Sequence, residues 1–157
     1  MKKFFMAGCL VFLFAMLCCS SVFAEGTAMG KAVVSEITGA AQVKTGDGEW
    51  MTAEVGMVLS EGSVIRTEPE SVAVVSLEGG EEAALVEVKE GSELKIAELF
   101  NQTENGASKT LLDLAIGEIL ITSKKLQTER SKFEVKTPTS IVGVRGTTFS
   151  VSVETEK

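Results

Sequence analysis

From residue 30 onward, apolar side chains recur at every second position in short runs that end at glycine or proline. That is the period of half-buried strands separated by tight turns. Ala41 and Val43 alternate with Gln42 and Lys44 before a turn at Thr45-Gly46-Asp47-Gly48. Val64-Ile65-Arg66-Thr67 reads as a strand stopped by Glu68-Pro69-Glu70, since proline cannot donate to a ladder. The run from Ser71 to Leu77 carries Val72, Val74 and Val75, a composition that predicts a central strand buried on both faces. It closes at Glu78-Gly79-Gly80-Glu81. Ala84, Val86 and Val88 then alternate with Leu85, Glu87 and Lys89, and a further strand follows Glu90-Gly91 around Leu94 and Ile96.

Asn105-Gly106 is the strongest turn signal, because both residues tolerate the positive φ of a type I′ hairpin turn. It predicts a hairpin between a strand ending near Phe100 and one starting near Thr110. The segment from Leu111 to Ile121 fits a helix face as well as a strand, but Gly117 near its centre weakens the helix, so strand–Gly–strand is expected. The pattern as a whole predicts an all-β fold, a sandwich or roll of about ten short strands, with a short β-solenoid as the remaining all-β option.

The first 24 residues change the picture. Lys2 and Lys3, the apolar run from Phe4 to Leu17 and the small-residue site Ser21-Val22-Phe23-Ala24 form a signal-peptide pattern, with cleavage expected after Ala24. A bacterial periplasmic or secreted domain over residues 25–157 is then expected, not membrane-spanning once the signal is removed. Cys9, Cys18 and Cys19 all lie in the leader, so cleavage there leaves a chain without thiols, disulfides or cysteine metal sites. Lipidation at a leader cysteine is the weaker reading, because Cys9 has almost no hydrophobic run ahead of it and Leu17 is bulky beside Cys18. Losing Lys2 and Lys3 from the 15 basic residues leaves 13 against 22 acidic ones, a net charge of −9. Nucleic acid is not an expected partner, since phosphate binding needs clustered Lys and Arg. The small group Lys124, Lys125, Arg130 and Lys132 reads as a solvated loop.

Residue types limit the chemistry. The chain has no His and no Tyr, and its cysteines leave with the leader, which removes imidazole and thiol catalysis and their metal sites. Ser92-Glu93-Leu94-Lys95 matches S-x-x-K and Lys44-Thr45-Gly46 matches K-T-G, the elements of a serine acyl-enzyme. Their order is reversed, the S-x-N element is missing and Ser92 precedes a strand, so both are chance matches. Asp47 and Glu49 sit in a turn with too few ligands for calcium. Neither an enzyme, a cofactor nor a metal is expected. Trp50 could stack on a sugar or a partner, but a half-buried strand residue beside Met51 is the simpler expectation. Asn101-Gln102-Thr103 is formally a glycosylation sequon, of little weight behind a leader of bacterial type.

The most distinctive stretch is near the C-terminus, Thr137-Pro138-Thr139-Ser140-Ile141-Val142-Gly143-Val144-Arg145-Gly146-Thr147-Thr148-Phe149. It resembles the T-P-T-x-x-x-G-V-R-G-T-x-F signature of the FecR-domain family. Upstream, Gly56 to Thr67 is similar to that family's G-x-x-L-x-x-G-D-x-I-x-T element, departing where Ser63 replaces Asp. The resemblance covers roughly residues 32–153.

It implies a β-rich extracytoplasmic domain. Founding members of the family are inner-membrane regulators, in which such a domain receives a signal from a TonB-dependent transporter and a cytoplasmic segment restrains a sigma factor. Only three residues precede the apolar run here, so the anti-sigma part and its transmembrane role are not expected to carry over. Family domains continue beyond the R-G-T-x-F strand, so either the last strand closes a smaller fold or the sequence is a truncated product. An open final edge would invite pairing with another chain. The interaction candidates are Thr137, Pro138, Thr139, Gly143, Arg145, Gly146, Thr147 and Phe149. Gly143 and Gly146 suggest a tight turn or bulge around Arg145, whose fork of donors would clamp an internal Glu or nearby carbonyls, with recognition as the alternative. The expected role is a non-catalytic envelope module for a protein or cell-wall glycan partner; the alternative is a reduced component of a surface-signalling system.

Overall fold

The computed structural model describes residues 30–79, 82–102, 108–123, 132–144 and 148–154. Every regular element among them is a strand. They are β1 (Lys31–Thr38), β2 (Ala41–Thr45), β3 (Met51–Thr52), β4 (Val58–Leu59), β5 (Ser63–Thr67) and β6 (Val72–Gly79). Then follow β7 (Glu82–Val88), β8 (Glu93–Gln102), β9 (Ser108–Ser123), β10 (Lys132–Lys136), β11 (Ile141–Val144) and β12 (Thr148–Val153). The fold is all-β, with twelve strands among the described residues in place of about ten expected from turn spacing. No helix among the described residues is long and apolar enough to cross a membrane.

The sheet curls into two layers that share β9. One layer runs β4-β1-β6-β7-β9-β12 and the other β3-β2-β5-β8-β9-β10-β11. The N-terminal half of β9 pairs with β8 and β10, and its C-terminal half with β7 and β12. All these pairings are antiparallel except β9–β10, where Phe133 lies opposite Thr110 in parallel register. The strand–Gly–strand reading of Leu111–Ile121 becomes one continuous strand that changes layer at Gly117, whose φ is +91°.

The inward faces meet in one apolar core. Ala32, Val34, Val75, Val86 and Ile121 from the first layer pack with Ile65, Leu94, Leu112, Leu114 and Val135 from the second. Burial of Val, Leu and Ile contributes roughly 1.5–3 kcal/mol per side chain, and with no cysteine among the described residues this burial holds the layers together. One expectation is corrected here. Strand β6 is buried on one face only: Ala73, Val75 and Leu77 face the core, while Val72, Val74 and Ser76 are half-buried on the outside. A valine-rich run favours a pleated strand whether or not its second face is covered, so composition could not separate the two cases.

The chain changes layer repeatedly, and four of these crossings, after β1, after β5, after β7 and within β9, are tied together by hydrogen bonds. Glu68 N donates to Ala40 O, Thr67 N to Ser92 O and Lys89 N to Glu118 O, at 2.9–3.0 Å. Ser71 Oγ accepts the Ala40 amide at 2.9 Å, and Thr67 Oγ1 accepts the Ser92 amide at 3.1 Å. Each donor that a strand change would orphan thus finds a hydroxyl or carbonyl, as buried backbone requires.

Candidate functional site

The T-P-T segment is a hairpin turn between β10 and β11. Thr137 N donates to Ser140 O at 2.8 Å, and Thr137 Oγ1 accepts the Ser140 amide at 3.0 Å. Pro138 presets the first turn position and needs no donor there. Thr137 is buried while Pro138 and Thr139 are exposed at the tip. The hydroxyls of Thr137 and Ser140 are therefore spent on the turn itself.

The closing bond fixes which backbone groups of β11 are free. In an antiparallel pair, hydrogen-bonded and non-bonded residue pairs alternate. Thr137 and Ser140 are a bonded pair, so Val135–Val142 and Phe133–Val144 are bonded as well, given their register. Ile141 and Gly143 lie opposite Lys136 and Glu134 as non-bonded pairs, and their N–H and C=O groups point away from β10. Among the described residues, β11 pairs with β10 alone, so this edge stands open.

Side chains on the edge are sparse. Ile141 is 64 % exposed. A Cβ placed on Gly143 would meet nothing within 4 Å, and Gly143 does not share the positive φ of Gly39, Gly46, Gly56, Gly62, Gly91 and Gly117. The expected tight turn or bulge is thus not found at Gly143, which sits in regular register opposite Glu134. Neither backbone geometry nor crowding explains a glycine there.

Beside the edge, β10 and β9 present a charged surface. Lys136 Nζ is 3.8 Å from Asp113, and Lys109 Nζ is 2.9 Å from Glu98. The hydrogen bond that Lys109 donates to Glu98, with further help from the charges of Glu98 and Glu134, holds the Lys109 ammonium above the ordinary lysine value.

The remaining candidates scatter. Arg145, Gly146 and Thr147 lie outside the described residues, as do the leader, Asn105-Gly106, Gly80, and Lys124, Lys125 and Arg130 of the basic group. Phe149 is on β12 in the other layer, partly buried against the core. The structure gathers Thr137, Pro138, Thr139 and Gly143 in one hairpin and leaves Phe149 apart.

Two other places invite chemistry. Ser92, the S-x-x-K serine, is 1 % exposed and bonded to the Glu118 backbone, whereas Lys95 is exposed on β8. That serine has no access to substrate. A shallow cleft of about 670 Å³ lies outside the layer crossing, lined by Glu70, Val72, Lys89, Glu118, Ser152 and Glu154 among others. Lys89 is held by Glu87 at 2.5 Å. Trp50 is half-buried, with the Arg66 guanidinium 4.0 Å from its ring centroid and Lys44 Nζ at 5.1 Å. Trp50 is half-buried as expected but lies just before β3 and not within a strand, and cations of the chain itself occupy its ring.

The upstream element is likewise structural. Gly56 and Gly62 have φ of +89° and +84°, and Ser63, fully buried, accepts the Ser60 amide at 3.2 Å. A hydroxyl does here what a short carboxylate could do in the same turn.

The sequence pattern of one protein family, described as FecR protein, matches residues 63–157, more than half of the chain. No curated protein and no solved structure matches it.

Proposed function

The chain belongs to the FecR protein family, which is tied to cell-surface signalling, and from that premise we propose that it is a non-catalytic, extracytoplasmic binding module of the bacterial envelope. Residues 1–24 act as a cleaved signal peptide and residues 25–157 as the exported FecR-like domain. Its partner is an envelope protein, engaged through the signature hairpin by addition of an extended segment to β11.

The observation that carries this reading is Gly143. Its outward backbone groups have no partner among the described residues, and a Cβ there would meet nothing within 4 Å. A glycine that the fold does not need is best accounted for by a second backbone that must come close. Strand addition gives affinity through main-chain hydrogen bonds and specificity through alternate side chains, with Ile141 as the apolar contact. A cell-wall glycan is the second reading, and it would use the charged row of Lys136, Asp113 and Glu134 beside the edge.

Crosslinking pull-down of the tagged exported chain from its native envelope, read by mass spectrometry, tests this. A dominant membrane regulator or transporter supports the signalling role. Glycan fragments support the second reading, and capture that survives Gly143→Pro removes the β11 edge from the explanation.

A further inference from the structure

The two outer faces of the sandwich differ in kind. The β8–β10 side carries Glu93, Lys95, Asp113, Glu134 and Lys136. On the other layer, one straight row runs across all six strands without a charge: Val58, Val33, Ser76, Leu85, Thr122 and Thr148, each opposite the next. Val58 is 65 % and Leu85 48 % exposed. Val74 and Leu120, from the adjacent row, add half-buried apolar surface. Of the charges that border the row, Lys31 is paired with Glu78 at 3.2 Å and Glu87 with Lys89, while Glu36, opposite Val74, forms no ion pair among the described residues. In a chain whose charge is −7 overall, an exposed uncharged row of apolar and hydroxyl side chains that crosses six strands marks this layer as a surface to be covered.

We propose that a second copy of this chain docks on this face, related by a two-fold axis that lies along the row. Such an axis sets each residue of the row against its own counterpart. Val58, Val33 and Leu85 meet apolar partners, while Thr122 and Thr148 meet hydroxyls that can both donate and accept. The charges choose the same axis. Lys31 stands two positions before Val33, and Glu36 stands beyond it on the other side after the bulge between Val34 and Glu36. Rotation about the row brings Lys31 of each copy to Glu36 of the other. An isologous interface needs this reciprocity, and Glu36 forms no ion pair among the described residues. Strands about 4.8 Å apart and six to eight residues long, with the two-residue β4 at one edge, give a face on the order of 25 by 22 Å, roughly 550 Å². That is of the same order as the roughly 800 Å² per partner that a stable dimer buries. Aligned sheet packing at about 30° keeps the central Ser76 and Leu85 in register and lets the ends diverge. The face belongs to the opposite layer from β11, so the dimer is independent of the partner site proposed above.

Sedimentation equilibrium of the exported chain decides the matter. The wild type is expected to dimerise, and Leu85→Glu to weaken the dimer at least about tenfold by placing facing carboxylates in it. At concentrations low enough for both proteins to be monomeric, circular dichroism and melting should stay unchanged, because Leu85 is half exposed. Lys31→Glu should weaken association, and adding Glu36→Lys to the same chain should restore it, a recovery that a folding defect could not give. A monomer at every concentration overturns the proposal. So does a dimer that survives Leu85→Glu, or one broken instead by Gly143→Pro at the β11 edge.

Discussion

The Ser92 hydroxyl fills the space that Gly117 leaves empty, accepting the Glu118 amide at 2.9 Å and donating to the Glu118 carbonyl at 3.1 Å. A Cβ on Gly117 would stand 2.5 Å from Ser92 Cα and 2.6 Å from its Cβ. Gly39 and Ser71 repeat the arrangement at another crossing, where a Cβ would stand 2.8 Å from Ser71 Cβ. Both glycines have positive φ, so substitution meets backbone strain and a clash together.

Gly117→Ala is therefore expected to lower unfolding stability by at least about 2 kcal/mol, and Ser92→Ala, which orphans a buried amide, by about 1–3 kcal/mol. Gly46→Ala, at positive φ in open space, should cost less than either. Urea unfolding of the four proteins checks the order. Equal losses at Gly46 and Gly117 would mean that the contact with Ser92 is unimportant.

At Gly143 the expectation reverses. Valine suits an exposed strand position and would meet open space, so Gly143→Val should leave stability within about 0.5 kcal/mol of wild type or raise it. Thermal melting gives the answer. A marked loss would return this glycine to a folding role.

Arg66 Nε donates to Gln42 Oε1 at 3.0 Å while its guanidinium covers Trp50. Arg66→Ala should cost about 1 kcal/mol and shift the emission of the single tryptophan to the red as its ring is uncovered. Arg66→Lys should recover little, because an ammonium cannot fork to Gln42 and stack at once. Fluorescence and melting of both variants test it.

Lys109 should titrate above the ordinary lysine value, and Glu98→Gln should bring it down. The sign follows from the raised folded value: the pairing stabilises the fold below the ordinary lysine pKa and fades as pH climbs through the raised one. An NMR titration of the Lys109 side chain reads this directly. No change in Glu98→Gln would mean that Glu134 is the cause.

Much of the fold could be read from period-two alternation, because alternation is what a half-buried strand imposes on its sequence. Strand β5 ends at Thr67 just before Pro69, and β9 runs through Gly117, as the pattern suggested. The change of layer at Gly117 was not legible, since it depends on Ser92, which lies far away in sequence and close only in space. The row from Val58 to Thr148 was hidden for the same reason: each strand contributes one residue to it. The T-P-T hairpin was visible as a motif, but its open backbone groups depend on which pairs are bonded, and register is not written in composition. The tight turn or bulge expected around Arg145 is not found at Gly143, which keeps regular register opposite Glu134, while Arg145 and Gly146 lie outside the described residues.

The most direct test of strand addition at β11 is residue-resolved amide hydrogen exchange of the exported chain, free and with the envelope protein captured by crosslinking. The amides of Ile141 and Gly143 should exchange fast in the free chain and become protected on binding, while Val142 and Val144, already paired to β10, stay slow throughout. Protection of Ile141 and Gly143 in the free chain, or no gain when the partner is bound, would contradict the proposed role of this edge.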